Sequence, residues 1–185
     1  MREQQLLDDA WLGIEVDEKN LFNPMSFVAE SSDKDDLVER IAWLMMRPEY
    51  FSFVCKYVLN IELSPFQALI LHEIWNRKFP MLIGSRGMGK SFLLSVYPLL
   101  RALFMPRRKI IVVGAAFRQS KVLFEYMDTI WKNAPILRDL CDNNSGPRRD
   151  VDRCTMRVNE SWAMAVPLGD GSKIRGLRAH TIIAD

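Results

Sequence analysis

The chain has 185 residues, 49% apolar and 26% charged, the proportions of a globular protein with room for one domain and a substantial core. No apolar run approaches the ~18 residues that cross a bilayer, and the acidic start "MREQQLLDDAWLGIEVDEKN" lacks the basic-then-apolar layout of a signal peptide. Three scattered cysteines (Cys55, Cys141, Cys154) and two histidines exclude a disulfide framework and a structural zinc site, so a reducing cytoplasm is expected, with no membrane role.

The net charge of +2 is unevenly spread. Residues 1–36 carry ten Asp/Glu against three Lys/Arg, and the rest carries 22 basic against 13 acidic residues. Such a layout fits a basic body with a polyanionic partner such as nucleic acid, and it equally fits a solvated acidic arm.

Residues 1–32 read as a loosely ordered acidic arm with one short amphipathic piece, "LLDDAWLGI". A helical lead-in follows over 33–62. "DKDDLVERIAWLMM" sets Leu37, Ile41, Leu44 and Met45 on one face, and Pro48 opens a second segment, "PEYFSFVCKYVLN". From 63 to 185 the pattern changes to alternating helix and strand. "SPFQALILHEIWNR" reads as a helix with Ser64 as N-cap and Pro65 at its first position. "FPMLIG" reads as a short buried strand, and "KSFLLSVYPLLRALF" as a helix interrupted or kinked near Pro98. "RKIIVVGAA" is a second buried strand before the helix "RQSKVLFEYMDTIWKNA". "DNNSGPRRDVD" is a polar loop, "TMRVNESWAMAVPL" two strands around a tight Asn159–Glu160 turn, and "GDGSKIRGLRAH" a loop before the last strand, "HTIIAD". The order implies an α/β fold.

One stretch carries chemistry. "GSRGMGKS", residues Gly84, Ser85, Arg86, Gly87, Met88, Gly89, Lys90 and Ser91, satisfies the phosphate-binding pattern G-x-x-x-x-G-K-[ST]. Glycines let the backbone N–H groups converge on phosphates, and the following helix adds the partial positive charge of its N-terminus. Lys90 can then reach the β- and γ-phosphates of ATP, and the Ser91 hydroxyl can ligate Mg²⁺. A second magnesium ligand is normally an Asp at the end of a neighbouring strand. By itself Asp185 reads as a strand-ending surface carboxylate; with this loop upstream it becomes the candidate metal ligand. Gln67 has two readings, a side chain facing adenine or half of a local S-x-x-Q capping box with Ser64. Arg86 either contacts the γ-phosphate or a nearby carboxylate, or faces solvent.

Taken together, "LSPFQALIL", "GSRGMGKSFLL", "KIIVVGAAFRQSKVLFE" and "GSKIRGLRAHTIIAD" resemble the ATPase half of the large terminase subunit, the DNA-packaging motor of tailed bacteriophages. The likeness runs over roughly residues 60–185. It implies a P-loop NTPase of the additional-strand, catalytic-Glu type, with a mostly parallel central sheet flanked by helices and preceded by a helical N-terminal region. It also implies catalytic roles for Arg86, Lys90 and Asp185, adenine contact by Gln67, and a counterpart for Ile174, Arg175 and Gly176 in the family's I-R-G run. The expected cofactors are ATP and Mg²⁺. Expected partners are double-stranded DNA, a portal protein, the small terminase subunit and a homo-oligomeric, pentameric ring, with a monomer when alone. The expected place of action is the host cytoplasm, at the procapsid portal.

Two departures stand out. The family carries a catalytic Glu directly after the metal Asp and a C-terminal nuclease domain, and neither is in this sequence, so an ATPase core truncated at the Walker B Asp, with little activity alone, is expected. Arg118, Arg148, Arg149, Arg175 and Arg178 remain equal candidates for an arginine finger or for DNA phosphate contact. A helicase-like ATPase is the alternative enzyme, because Gln67 and the loop also fit that class. An inert ATP-binding or docking fragment is the non-enzymatic alternative.

Overall fold

The computed structural model describes residues 33–45, 47, 50–114, 116–141, 146–150, 153–167 and 176–184. Two helices come first among the described residues. Helix α1 (Lys34–Met45) begins where the Asp33 carboxylate accepts the Asp36 N–H at 2.9 Å, with Asp35 and Asp36 in its first turn, where carboxylates complement the helix dipole. Helix α2 (Phe51–Tyr57) buries Phe51, Phe53, Val54 and Cys55.

Helix α3 (Pro65–Asn76) starts as its sequence demands. The Ser64 hydroxyl accepts the Gln67 N–H at 3.3 Å, and the Gln67 Oε1 accepts the Ser64 N–H at 3.0 Å. This reciprocal cap satisfies two donors that no helical carbonyl can reach. Helix α4 (Lys90–Phe104) runs on through Pro98, although the proline withdraws the donor that the Leu94 carbonyl would use. The expected interruption is therefore absent: Pro98 is buried within one 15-residue helix. Helices α5 (Phe117–Asn133) and α6 (Pro135–Asp139) follow.

Strands β1 (Lys109–Gly114), β2 (Arg148–Arg149), β3 (Cys154–Val158), β4 (Ser161–Pro167) and β5 (Thr181–Ala184) form one sheet in the order β2-β3-β4-β1-β5. β1 is parallel to β4 and to β5, and the β2–β3 and β3–β4 pairs are antiparallel. The fold is mixed α/β, and the sheet is evenly mixed where a mostly parallel one was expected. The β3–β4 pair turns at Asn159–Glu160, where Asn159 takes a φ of 50°, a left-handed conformation that asparagine tolerates better than most residues. Arg148 and Arg149, expected in a loop, pair with Thr155 and Cys154.

A second correction concerns "FPMLIG". Residues 77–85 form neither helix nor strand, and Phe79, Met81 and Ile83 are 95%, 84% and 83% exposed. A strand needs a ladder partner as well as apolar side chains. Both edges of β1 are taken, by β4 and β5, and the run joins neither of the terminal strands, β2 and β5. Leu82 alone of this run packs against the core.

The main core joins α2–α6 to one face of the sheet. It contains Leu93, Leu99 and Leu100 from α4, Leu123, Phe124 and Met127 from α5, and Ile110, Val112, Met156 and Ala165 from the strands. Each large apolar side chain buried there contributes about 1.5–3 kcal/mol. Helices α3 and α4 are also clamped through Arg101. Its guanidinium lies 3.8 Å from the Trp75 ring centroid and donates to Tyr97 Oη at 2.7 Å and to the Trp75 carbonyl at 3.2 Å. The clamp fixes the axis of α4, whose first turn carries the phosphate-loop motif.

Candidate functional site

The loop 84–89 closes onto α4 through two glycines in left-handed backbone conformations. Gly87 has φ +82° and Gly89, the N-cap residue, has φ +80°. Any L-residue with a Cβ would be strained at either position. The first helical hydrogen bond runs from Leu93 N–H to the Gly89 carbonyl at 2.9 Å. The N–H groups of Lys90, Ser91 and Phe92 therefore have no helical carbonyl to donate to, and they crowd the start of a 15-residue helix. Backbone N–H groups gathered at a helix start are a geometry that can receive an anion.

Lys90 turns back over this loop. Its Nζ donates to the carbonyls of Gly84 and Ser85, both at 2.6 Å. An ammonium has three donors, and two of them hold the loop. Met88 folds in the same sense, its sulfur lying where a side chain on Gly84 would have to go. Ser91 is half-buried in the first turn of α4, and Ser85 and Arg86 are exposed at the rim.

Of the two readings for Gln67, the local cap is the one seen. Its Oε1 is engaged in the α3 cap, and its Nε2 lies 3.5 Å from where a Cβ on Gly89 would stand. The capping box is the observed interaction. It also holds the amide against the 84–89 loop, and sequence spacing alone did not reveal that juxtaposition.

The other candidates are dispersed. Arg118 is exposed in the first turn of α5, Arg178 is exposed ahead of β5, and Arg148 is exposed on β2. Arg149 is ion-paired with Asp128 at 3.2 Å, and Asp128 also takes Lys132 at 2.8 Å. Strand β5 runs to Ala184, opposite Val113, and its start is tied to β1 by Lys109 N–H donating to His180 Nδ1 at 3.0 Å. Asp185, Ile174, Arg175 and the acidic arm 1–32 lie outside the described residues.

For magnesium the fit is partial. Ser91 supplies one hydroxyl, and among the described residues no group of three His, Cys, Asp or Glu side chains comes together to hold a metal ion. A tight turn that the sequence reading did not single out lies at the end of β1: a Cβ on Gly114 would meet Ser120 Oγ at 2.8 Å and the Ala116 carbonyl at 3.1 Å. Glycine is thus required where β1 passes into α5. Among the described residues no helix is long and apolar enough to cross a membrane. Compared with known protein families, curated proteins and solved structures, the chain finds no match.

Proposed function

We propose that residues 84–91 bind the phosphates of ATP and that the chain is the ATPase domain of a motor that moves double-stranded DNA, as its resemblance to large terminase subunits implies. The observation that carries the reading is the loop itself: Gly87 and Gly89 in left-handed conformations, delivering the chain into α4 with Lys90 folded over it.

In this reading the backbone N–H groups at the start of α4 receive the phosphate oxygens, and Lys90 uses its third donor on the β- or γ-phosphate. Both groups are oriented before the ligand arrives, so little reorganisation is needed when charge develops in hydrolysis. The Ser91 hydroxyl and the Asp185 carboxylate are the proposed magnesium ligands. Magnesium, when bound with the nucleotide, neutralises charge on the β- and γ-oxygens. Arg86, exposed at the rim, is suited to a phosphate or a carboxylate by its planar fork. The Gln67 amide, held beside Gly89, is the proposed adenine contact. The excess of 22 basic over 13 acidic residues beyond position 36 supports a sequence-independent contact with DNA backbone.

Calorimetric titration with ATP-Mg tests the reading on the parent chain and on Lys90→Ala, with circular dichroism to show that the variant folds. Loss of binding in a folded variant is expected, and unchanged affinity overturns the assignment. Affinity for duplex DNA should fall steeply with salt and vary little with sequence; strong preference for one sequence would contradict a translocating motor.

A further inference from the structure

The sheet has a second face, and the described helices do not contribute to the cluster on it. Residues directly opposite in a ladder share a face, and so do alternate residues along a strand. The register thus sets two rows side by side. One runs Arg148, Thr155, Met164, Ile111, Ile182, and the other runs Arg157, Trp162, Lys109. Among the described residues the apolar cluster on this face draws only on strands and on Ala179. Ile182 is 68% exposed, while Trp162 and Met164 are half-buried. Arg148, Arg157 and Lys109 are all exposed at its margins. It is an apolar strip with a basic border.

We propose that the acidic N-terminal stretch of this same chain, residues 6–14, docks on that strip. Its sequence, "LLDDAWLGI", is complementary on both counts. Leu7, Trp11 and Ile14 recur at i, i+4 and i+7, an apolar stripe at helical spacing, and Asp8 and Asp9 stand beside it with Glu15 just beyond. The stripe matches the row from Met164 to Ile182, and the carboxylates match the arginines and lysine at its margins. Residues 1–32 hold seven Asp/Glu against two Lys/Arg, so the charge of the arm opposes that of the border throughout. A docked arm places carboxylates where a polyanion would otherwise meet Arg148 and Lys109. On the DNA-motor reading, arm and DNA backbone therefore compete for this face.

The full chain offers a clean probe, because Cys55, Cys141 and Cys154 are buried and an added surface cysteine is the one that takes a label. A nitroxide on Thr155→Cys, on the strip, should broaden the amide signals of residues 6–14, and chemical reduction of the label should restore them. The same label on Thr129→Cys, exposed on α5 at the other face of the sheet, should leave them sharp. Charge reversal by Arg148→Glu with Arg157→Glu should abolish the broadening, and adding Asp8→Arg with Asp9→Arg should bring it back. Equal signals from both label sites, or broadening indifferent to the charge reversals, overturns the proposal. Broadening seen only when labelled and isotope-enriched chains are mixed would assign the strip to a second copy and overturn docking within one chain. Because none of these readouts uses nucleotide, their failure is distinguishable from failure of the ATPase reading. Release of the arm by duplex DNA tests the competition alone.

Discussion

Replacing Gly87 by alanine isolates backbone strain in the proposed phosphate-binding loop. A Cβ built there meets nothing within 4 Å, yet φ is +82°, so the substitution introduces no clash and only a conformational cost. For an L-residue that cost is roughly 1–2 kcal/mol. The variant loop then spends most of its time in another conformation, and the apparent dissociation constant rises by the inverse of the competent fraction. A 1–2 kcal/mol bias corresponds to roughly 5- to 30-fold weaker ATP-Mg binding. Gly87 is exposed, so the strain relaxes locally and the thermal midpoint should barely move. A graded series sharpens the test. Asparagine tolerates the left-handed region and should weaken binding least, alanine more, and β-branched valine most. Calorimetry on the four proteins gives the order directly. Alanine and valine variants that bind as tightly as glycine would refute the claim that this backbone conformation receives the phosphates.

Two further outcomes follow from the core. Phe124 is fully buried among the α4, α5 and strand side chains, so Phe124→Ala should cost about 3–5 kcal/mol, read from urea unfolding with an unchanged slope. Burial pushes the Cys55 thiol from its ordinary 9.0 up to about 12. The folded state therefore keeps a proton that the unfolded state releases above pH 9, and stability is present below that pH and lost as pH rises toward 12. The full effect is at most about 4 kcal/mol, so the Cys55→Ala variant should show a flatter decline over this window than the parent. Identical pH profiles would remove Cys55 from the account.

The parts of the molecule legible in the sequence are those fixed by local chemistry. Ser64, Pro65 and Gln67 announce the start of α3, Asn159–Glu160 announces the β3–β4 turn, and the unbroken apolar run 110–113 announces a central strand. The loop was legible for the same reason, since its glycines and lysine act through their own backbone and near neighbours. What was not legible depended on partners far along the chain. The apolar run 79–84 looks like a buried strand, but apolarity does not say whether it will join a ladder, and this run joins neither β1 nor an edge strand of the sheet. Arg148 and Arg149 carry no strand pattern, and their pairing comes wholly from β3. Gln67 shows the two cases meeting in one residue: its cap was local and predictable, and its approach to Gly89 was set by the packing of α3 on α4.

Amide spectroscopy during an ATP-Mg titration tests most directly whether residues 84–91 bind phosphates. Saturable shifts are expected on Gly84, Gly87, Gly89, Lys90 and Ser91, absent in Lys90→Ala and reproduced in part by inorganic triphosphate. Saturable binding that leaves these amides unmoved, or no binding by the folded parent chain at millimolar nucleotide, would contradict it.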